Sequence, residues 1–315
     1  MKTRVLIKEG EYRLSKAGVM DAHIDAEELY CFLKKCDKVV LFLMKEEEAD
    51  KETEEAYFEL IAKRASRIPL QHITGKQEFM GFDFKVSPDV LIPRQETEVL
   101  VTEAAKLLRE KRKSAAGERR NSRGGLFKIF SAPPGQEVLD LCCGSGAIGI
   151  SLAKICEDVS VTATDISDAA LALAKENAKA NRVEVDFLKG DLFEALKDRD
   201  KGKRVRSFDM IISNPPYIRS NLIALLQDEV KNHEPLMALD GGADGLDFYR
   251  KIVADAHLHL KDDGWLMLEI GYDQGESLRE LLAETGRYSD AEIIRDLAGR
   301  DRIVKCRKVR KDDRS

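Results

Sequence analysis

The 315-residue chain, 43% hydrophobic and 35% charged, has the make-up of an ordinary folded protein with room for one large domain and a smaller one. Its net charge of −5 removes any global electrostatic case for nucleic-acid binding, and its six cysteines contain neither a C-x-x-C pair nor a zinc spacing. The opening Met1 to Glu9 lacks the apolar core of a signal peptide and no apolar run reaches transmembrane length, so a reduced, cytoplasmic protein without membrane or metal is expected.

In chain order, residues 1–70 read as a bundle of roughly three to five helices. Ile24 to Leu33 places apolar side chains at helical spacing behind acids in the first turn. Glu52 to Arg67 repeats the pattern with Ala56, Phe58, Leu60, Ile61 and Ala65 until Pro69 stops it. Residues 71–94 read as a linker built on a β-hairpin, because a two-residue period runs through Gln71 to Gly75 and Glu78 to Val86. His72 there has no second histidine at ligand spacing. Leu91-Ile92-Pro93-Arg94 opens a helix to roughly Leu108 and a second domain, 95–315. Residues 111–135, rich in Lys, Arg, Ser and Gly, read as a flexible insertion, and 198–206 as a second basic one.

From Glu137 onward strands and helices alternate. Strands fall at Val138–Leu141, Val159–Thr164, Val185–Leu188, Phe208–Ile212 and Trp265–Ile270, and the runs 291–295 and 302–309 fit a closing antiparallel hairpin. The pattern is that of an α/β, doubly wound, Rossmann-like sheet.

Asp140-Leu141-Cys142-Cys143-Gly144-Ser145-Gly146 joins the first strand of this series to its helix. Glycines there let backbone approach a ligand, and the helix N-terminus offers free N–H groups. Gly144-x-Gly146-x-x-Gly149 formally matches the dinucleotide fingerprint, which makes NAD a rival ligand. The acid-x-x-x-Gly-x-Gly order that Asp140 begins favours S-adenosylmethionine instead. Asp165 ends the second strand, where a carboxylate can chelate two ribose hydroxyls of either cofactor. Asp191 ends the third, beside the place of an adenine. Each acid could merely cap a helix, a role that suits Asp191 better than Asp165, since Ser167 and Asp168 are there to cap.

Phe208-Asp209-Met210-Ile211-Ile212 reads as a buried strand that Ser213-Asn214-Pro215-Pro216-Tyr217 must end, because proline cannot donate to a ladder. The Asn214 side-chain oxygen and a carbonyl of Pro215-Pro216 can both accept from one planar NH2 group, and Tyr217 can lie against that group. An amide or aryl amine is a poor nucleophile because its lone pair is delocalised. Fixing both N–H bonds favours a more pyramidal nitrogen and aims the lone pair at an electrophile, with no general base needed first.

Taken together, these stretches resemble the protein-(glutamine-N5) methyltransferases that modify peptide chain release factors, the PrmC or HemK family. The resemblance spans nearly the whole chain: Phe79-x-Gly81, Leu91-Ile92-Pro93-Arg94, the glycine loop, Gly190-Asp191-Leu192-Phe193, Asn214-Pro215-Pro216-Tyr217-Ile218, Glu234-Pro235-x-x-Ala238-Leu239 and Asp296 to Arg302. The Asn-Pro-Pro-Tyr motif is shared with nucleic-acid amino-methyltransferases, whereas the Ile-Pro-Arg and Asp-Leu-Ala-Gly-Arg-Asp-Arg stretches are more specific.

The resemblance implies a class I methyltransferase sheet with a small N-terminal helical domain. It implies that Cys142, Cys143, Gly144, Ser145, Gly146, Asp165, Leu192 and Asn214 contact S-adenosylmethionine, and that Asn214, Pro215, Pro216 and Tyr217 grip the acceptor glutamine. The implied partner is a class I release factor, methylated in its Gly-Gly-Gln loop, with no nucleic acid required. Cys142 replaces the family's first glycine, Gln95 replaces a proline, and the two insertions are longer than the family needs. The alternative is an adenine or cytosine amino-methyltransferase, against which stand the absence of a target-reading domain and of a basic excess. A cofactor-binding regulator with a dead site would not need Asn214 to Tyr217 intact.

Overall fold

The computed structural model describes residues 1–121, 135–197 and 206–310, and the chain divides into two units. The first comprises residues 1–76, 86–88 and 225–234. Its helices are α1 (Thr3–Lys16), α2 (Ala22–Lys34), α3 (Lys38–Met44), α4 (Lys51–Ala65) and α5 (Leu70–Thr74). Asp37 and Asp50 cap α3 and α4, accepting from Val40 N at 2.8 Å and Thr53 N at 2.7 Å. Leu6, Leu14, Leu29, Tyr30, Tyr57 and Ile61 fill the core. The short helix Asp228–Lys231, α10 in chain order, brings in Glu229, which with Asp25 brackets the buried Arg64.

The second unit is built on the strands β3 (Gln136–Leu141), β4 (Val159–Asp165), β5 (Val185–Lys189), β6 (Phe208–Ser213), β7 (Leu260–Glu269), β8 (Glu292–Arg295) and β9 (Asp301–Arg307). They form one seven-stranded sheet in the order β5-β4-β3-β6-β7-β9-β8. Pairings are parallel from β5 through β7 and antiparallel at β9 and β8. Its helices are α6 (Gln95–Asn121), α7 (Ala147–Ile155), α8 (Asp168–Asn181), α9 (Glu194–Lys197), α11 (Asp247–His259) and α12 (Gly275–Thr285).

Alternating strand residues feed two cores, as a sheet covered on both faces requires. Val138, Met210, Met267 and Ile303 share one core with Leu100 and Ala104 of α6 and Ile150 of α7. Leu139, Ile211, Leu268 and Val304 share the other with Ile252 of α11 and Leu278 of α12. Because β4 and β6 flank β3 on opposite sides, the strand order reverses there and leaves a crevice beyond the carboxyl ends of β3 and β6.

Two readings of the sequence need correction. Gln71 to Gly75 does not open a hairpin; α5 occupies Leu70–Thr74, between Pro69 and a left-handed Gly75. The hairpin itself is β1 (Lys76–Phe79) and β2 (Phe82–Lys85), whose Phe79 and Phe84 are buried in the core with α6. Secondly, α6 starts at Gln95 and runs to Asn121, so the first part of the 111–135 insertion is helix. Residues 122–134, like 198–205 of the second insertion, lie outside the described residues. Among the described residues no helix is long and apolar enough to cross a membrane.

Candidate active site

The loop from Cys142 to Gly146 leaves the carboxyl end of β3 and enters α7. Cys143 N donates to Thr164 O at 3.0 Å, which ties the loop to β4. Asn177 of α8 donates to Ser145 O at 3.0 Å and exchanges hydrogen bonds with the backbone of Lys85, so the hairpin braces the same loop. Cys142 sits at φ 57°. That left-handed conformation costs an L-residue roughly 1–2 kcal/mol and suits glycine, the residue for which Cys142 stands in by resemblance. Burial pushes its thiol pKa up, with the Asp165 charge adding to the effect, so the sulfur stays a neutral wall atom. Cys142→Gly is therefore expected to keep or slightly raise the denaturation midpoint, whereas Cys142→Val should destabilise by about 1–2 kcal/mol.

Asp140 is fully buried beneath the loop, where Oδ2 accepts from Gly149 N at 3.0 Å and Oδ1 has no hydrogen-bond partner among the described residues. Burial pushes its pKa up to about 8. It supports the first turn of α7 and does not reach the cavity, contrary to its expected place at the cofactor.

The crevice holds a cavity of about 380 Å³, mostly apolar in its lining. Cys142, Cys143, Gly144, Ser145, Asp165, Asp191, Leu192, Asn214 and Pro216 line it, and Gly146, Pro215 and Tyr217 are not among its lining residues. Asp165 accepts from Gly144 N through Oδ2 and from Ser167 N through Oδ1, both at 2.9 Å. Each oxygen keeps a further lone pair for a ligand. Helix α8 is capped by Ser167, which accepts from Ala170 N at 3.2 Å, so Asp165 is not spent as a cap. Asp191, across the cavity, meets Lys251 Nζ at 3.4 Å. Carboxylates at the ends of two strands, with Ile166 and Leu192 as apolar flanks, form an acceptor and packing set that fits a nucleoside.

Asn214 follows β6 directly. Its Nδ2 donates to Thr97 Oγ1 at 3.3 Å, and no hydrogen bond to its Oδ1 is found among the described residues. The carbonyl oxygen is thus left for the cavity that Asn214 lines. Beside it, Tyr217 OH donates to Glu269 Oε1 at 3.4 Å, and Tyr217 O accepts from Gln274 Nε2 at 3.0 Å. Burial raises the Tyr217 pKa and the Glu269 charge raises it further, so the ring carries a neutral phenol. The motif's backbone is held by a second strip of chain, with Ile218 N donating to Leu239 O at 2.9 Å and Gly241 N to Ile218 O at 2.8 Å. A Cβ on Gly241 would lie 2.7 Å from Tyr217 Cα and 2.9 Å from Pro216 O. That approach gives the Ala238 to Gly242 stretch a purpose its sequence did not disclose.

Thr97, Glu269, Gln274 and Asn177 were not singled out in the sequence. Thr97 and Asn177 lie in helices, Glu269 ends β7 and Gln274 immediately precedes α12, and only burial distinguishes them from surface polar groups.

Comparison with known proteins gives a consistent picture. Residues 6–75 match the family model of the PrmC N-terminal domain, and residues 124–229 match that of the methyltransferase small domain. A release factor glutamine methyltransferase of Geobacter sulfurreducens is 39% identical over 92% of this chain and 91% of its own length. The one from Clostridium botulinum is 37% identical over 96% and 98%. A crystal structure of a methyltransferase from Pyrococcus furiosus, 18% identical, superposes with a TM-score of 0.51 over 79% of this chain and 100% of its own, a likeness of fold alone.

Proposed function

The chain belongs to the release factor glutamine methyltransferase family, and from that premise we propose that it methylates the side-chain nitrogen N5 of the glutamine in the Gly-Gly-Gln loop of class I release factors. It is an S-adenosylmethionine-dependent methyltransferase. The cofactor, when bound, supplies an electrophilic methyl group on a sulfonium.

The chain's own residues do the rest. The Cys142 to Ser145 loop and Asp165 hold the nucleoside end, Asp165 taking the ribose hydroxyls, with Asp191 and Leu192 beside the base. Asn214 Oδ1 and a carbonyl of Pro215-Pro216 accept the two N–H bonds of the glutamine amide, and Tyr217 packs on its plane. Those fixed acceptors hold the nitrogen lone pair toward the methyl group and meet the positive charge that grows on nitrogen. The observation that carries this reading is the Asn214 amide, anchored through its nitrogen to Thr97 with its carbonyl left to the cavity wall.

Incubation with labelled S-adenosylmethionine and, separately, a release factor, bulk RNA and DNA is expected to label the release factor alone. Label in nucleic acid would overturn the substrate reading in favour of a base amine. Asp165→Ala is expected to weaken S-adenosylmethionine binding by roughly 10-fold or more, the effect of losing a charged acceptor. Unchanged affinity in calorimetry of the folded variant would remove Asp165 from the cofactor site.

A further inference from the structure

At the wall of the cavity, which Thr97 and Asn214 line, a buried polar cluster joins the clamp to Glu269, a carboxylate that the transfer chemistry above does not use. β6 and β7 pair so that Ser213 stands opposite Leu268, which brings the next residues, Asn214 and Glu269, to the same end of neighbouring strands. Glu269 is 1% exposed and Thr97, in the first turn of α6, is 4% exposed. Thr97 Oγ1 accepts from Asn214 Nδ2 at 3.3 Å and Tyr217 OH donates to Glu269 Oε1 at 3.4 Å, so Asn214 and Glu269 are each tied into one cluster, in which the Thr97 hydroxyl favours the charged form of Glu269. Among the described residues Glu269 Oε2 has no hydrogen-bond partner.

We infer that Glu269 is a positioning residue for methyl transfer: it takes the hydroxyl hydrogens of Thr97 and Tyr217, which leaves Thr97 a lone pair for the Asn214 NH2 and so turns the Asn214 carbonyl toward the acceptor amide. A threonine hydroxyl has one hydrogen and two lone pairs, so it can donate to Glu269 and accept from Asn214 at once. Without an anionic acceptor behind it, the hydroxyl is free to donate to Asn214 Oδ1. The amide then flips and presents a donor to a donor.

The cluster also gives the Asp296 to Arg302 stretch a role. Asp296 Oδ1 accepts from Ala298 N at 2.9 Å and Arg300 N at 3.0 Å, folding the β8–β9 turn, while its Oδ2 meets Arg302 Nη2 at 3.2 Å. Arg302, thereby oriented, donates to Ile270 O at 3.3 Å and places its positive charge by Glu269 and Tyr217. Burial raises the Glu269 pKa to about 7, against the pull of the Thr97 hydroxyl, Arg302 and the Tyr217 hydroxyl, with Glu96 adding to the rise. Tyr249 of α11, a neutral phenol, donates to the Glu269 backbone carbonyl at 2.7 Å.

The inference rests on the reading of Asn214 as the amide clamp, and its test separates the two. Methylation of a release factor by the wild-type protein is the control for that reading, and its absence rejects the clamp's substrate. Thr97→Val is expected to lower kcat roughly 3- to 10-fold at unchanged S-adenosylmethionine affinity, with Thr97→Ser restoring it. In an Asn214→Ala background Thr97→Val should cost nothing further. Wild-type kcat should fall as pH drops through about 7 and Glu269 takes a proton, and Glu269→Gln should flatten that limb. Isotope-edited NMR gives a readout that needs no acceptor: the Asn214 side-chain amide signals should titrate with Glu269 in the wild type and stay fixed in Glu269→Gln. A wild-type kcat in Thr97→Val, an equal loss in the Asn214→Ala background, or Asn214 signals that titrate alike in both proteins would overturn the inference.

Discussion

Asn214→Ala is expected to lower kcat for release-factor methylation by roughly 10²–10³-fold, the cost of deleting one preorganised acceptor at the reacting centre. The side chain is small, lines the cavity, and among the described residues makes one side-chain hydrogen bond, to Thr97, so its truncation leaves β6 and its neighbours in place. The loss should fall on kcat more than on KM, because the clamp matters most as the nitrogen becomes tetrahedral and positive. Cofactor binding should survive in large part, since Asp165 and the glycine loop stand apart from it. Single-turnover transfer to purified release factor measures this directly. A near-wild-type rate would mean the amide is oriented by other groups.

Gly241→Ala is expected to lower kcat on the order of 10²-fold without touching either ligand, as a misplacement near 1 Å does. The added methyl would meet the Tyr217 and Pro216 backbone well inside van der Waals contact, and backbone cannot swing aside as a side chain can. The Pro215-Pro216 segment is stiff, so the shift passes to the Asn214 and Tyr217 side chains. Comparison of kcat with the S-adenosylmethionine dissociation constant checks the claim, since only the first should change greatly. Equal loss of both would point to general unfolding of the sheet edge.

Much of this arrangement was legible in the chain. Phe208 to Ile212 is apolar except for Asp209 and is followed by a double proline, which suits a buried strand with its loop at the carboxyl end, and every residue of β6 is buried. Ser167 and Asp168 offered better caps than Asp165, and Ser167 does cap α8, while Asp165 lines the cavity. The five residues of α5 were too short to show a helical period, and their accidental alternation imitated a strand. The start of the 111–135 stretch was read as a flexible insertion from its polarity, although Glu, Lys and Arg are strong helix formers and α6 simply continues into it as far as Asn121. Thr97 and Glu269 were illegible for a different reason. They meet only because α6 and the end of β7 converge on β6, and no local pattern encodes a contact between residues so far apart in sequence.

The most direct measurement of the central claim is fragment-ion mass spectrometry of a release factor after one round of methylation. The account predicts a single added methyl on the Gly-Gly-Gln glutamine side chain, and none when that glutamine is replaced by glutamate. A methyl found on another residue, or one that persists after the replacement, would contradict it.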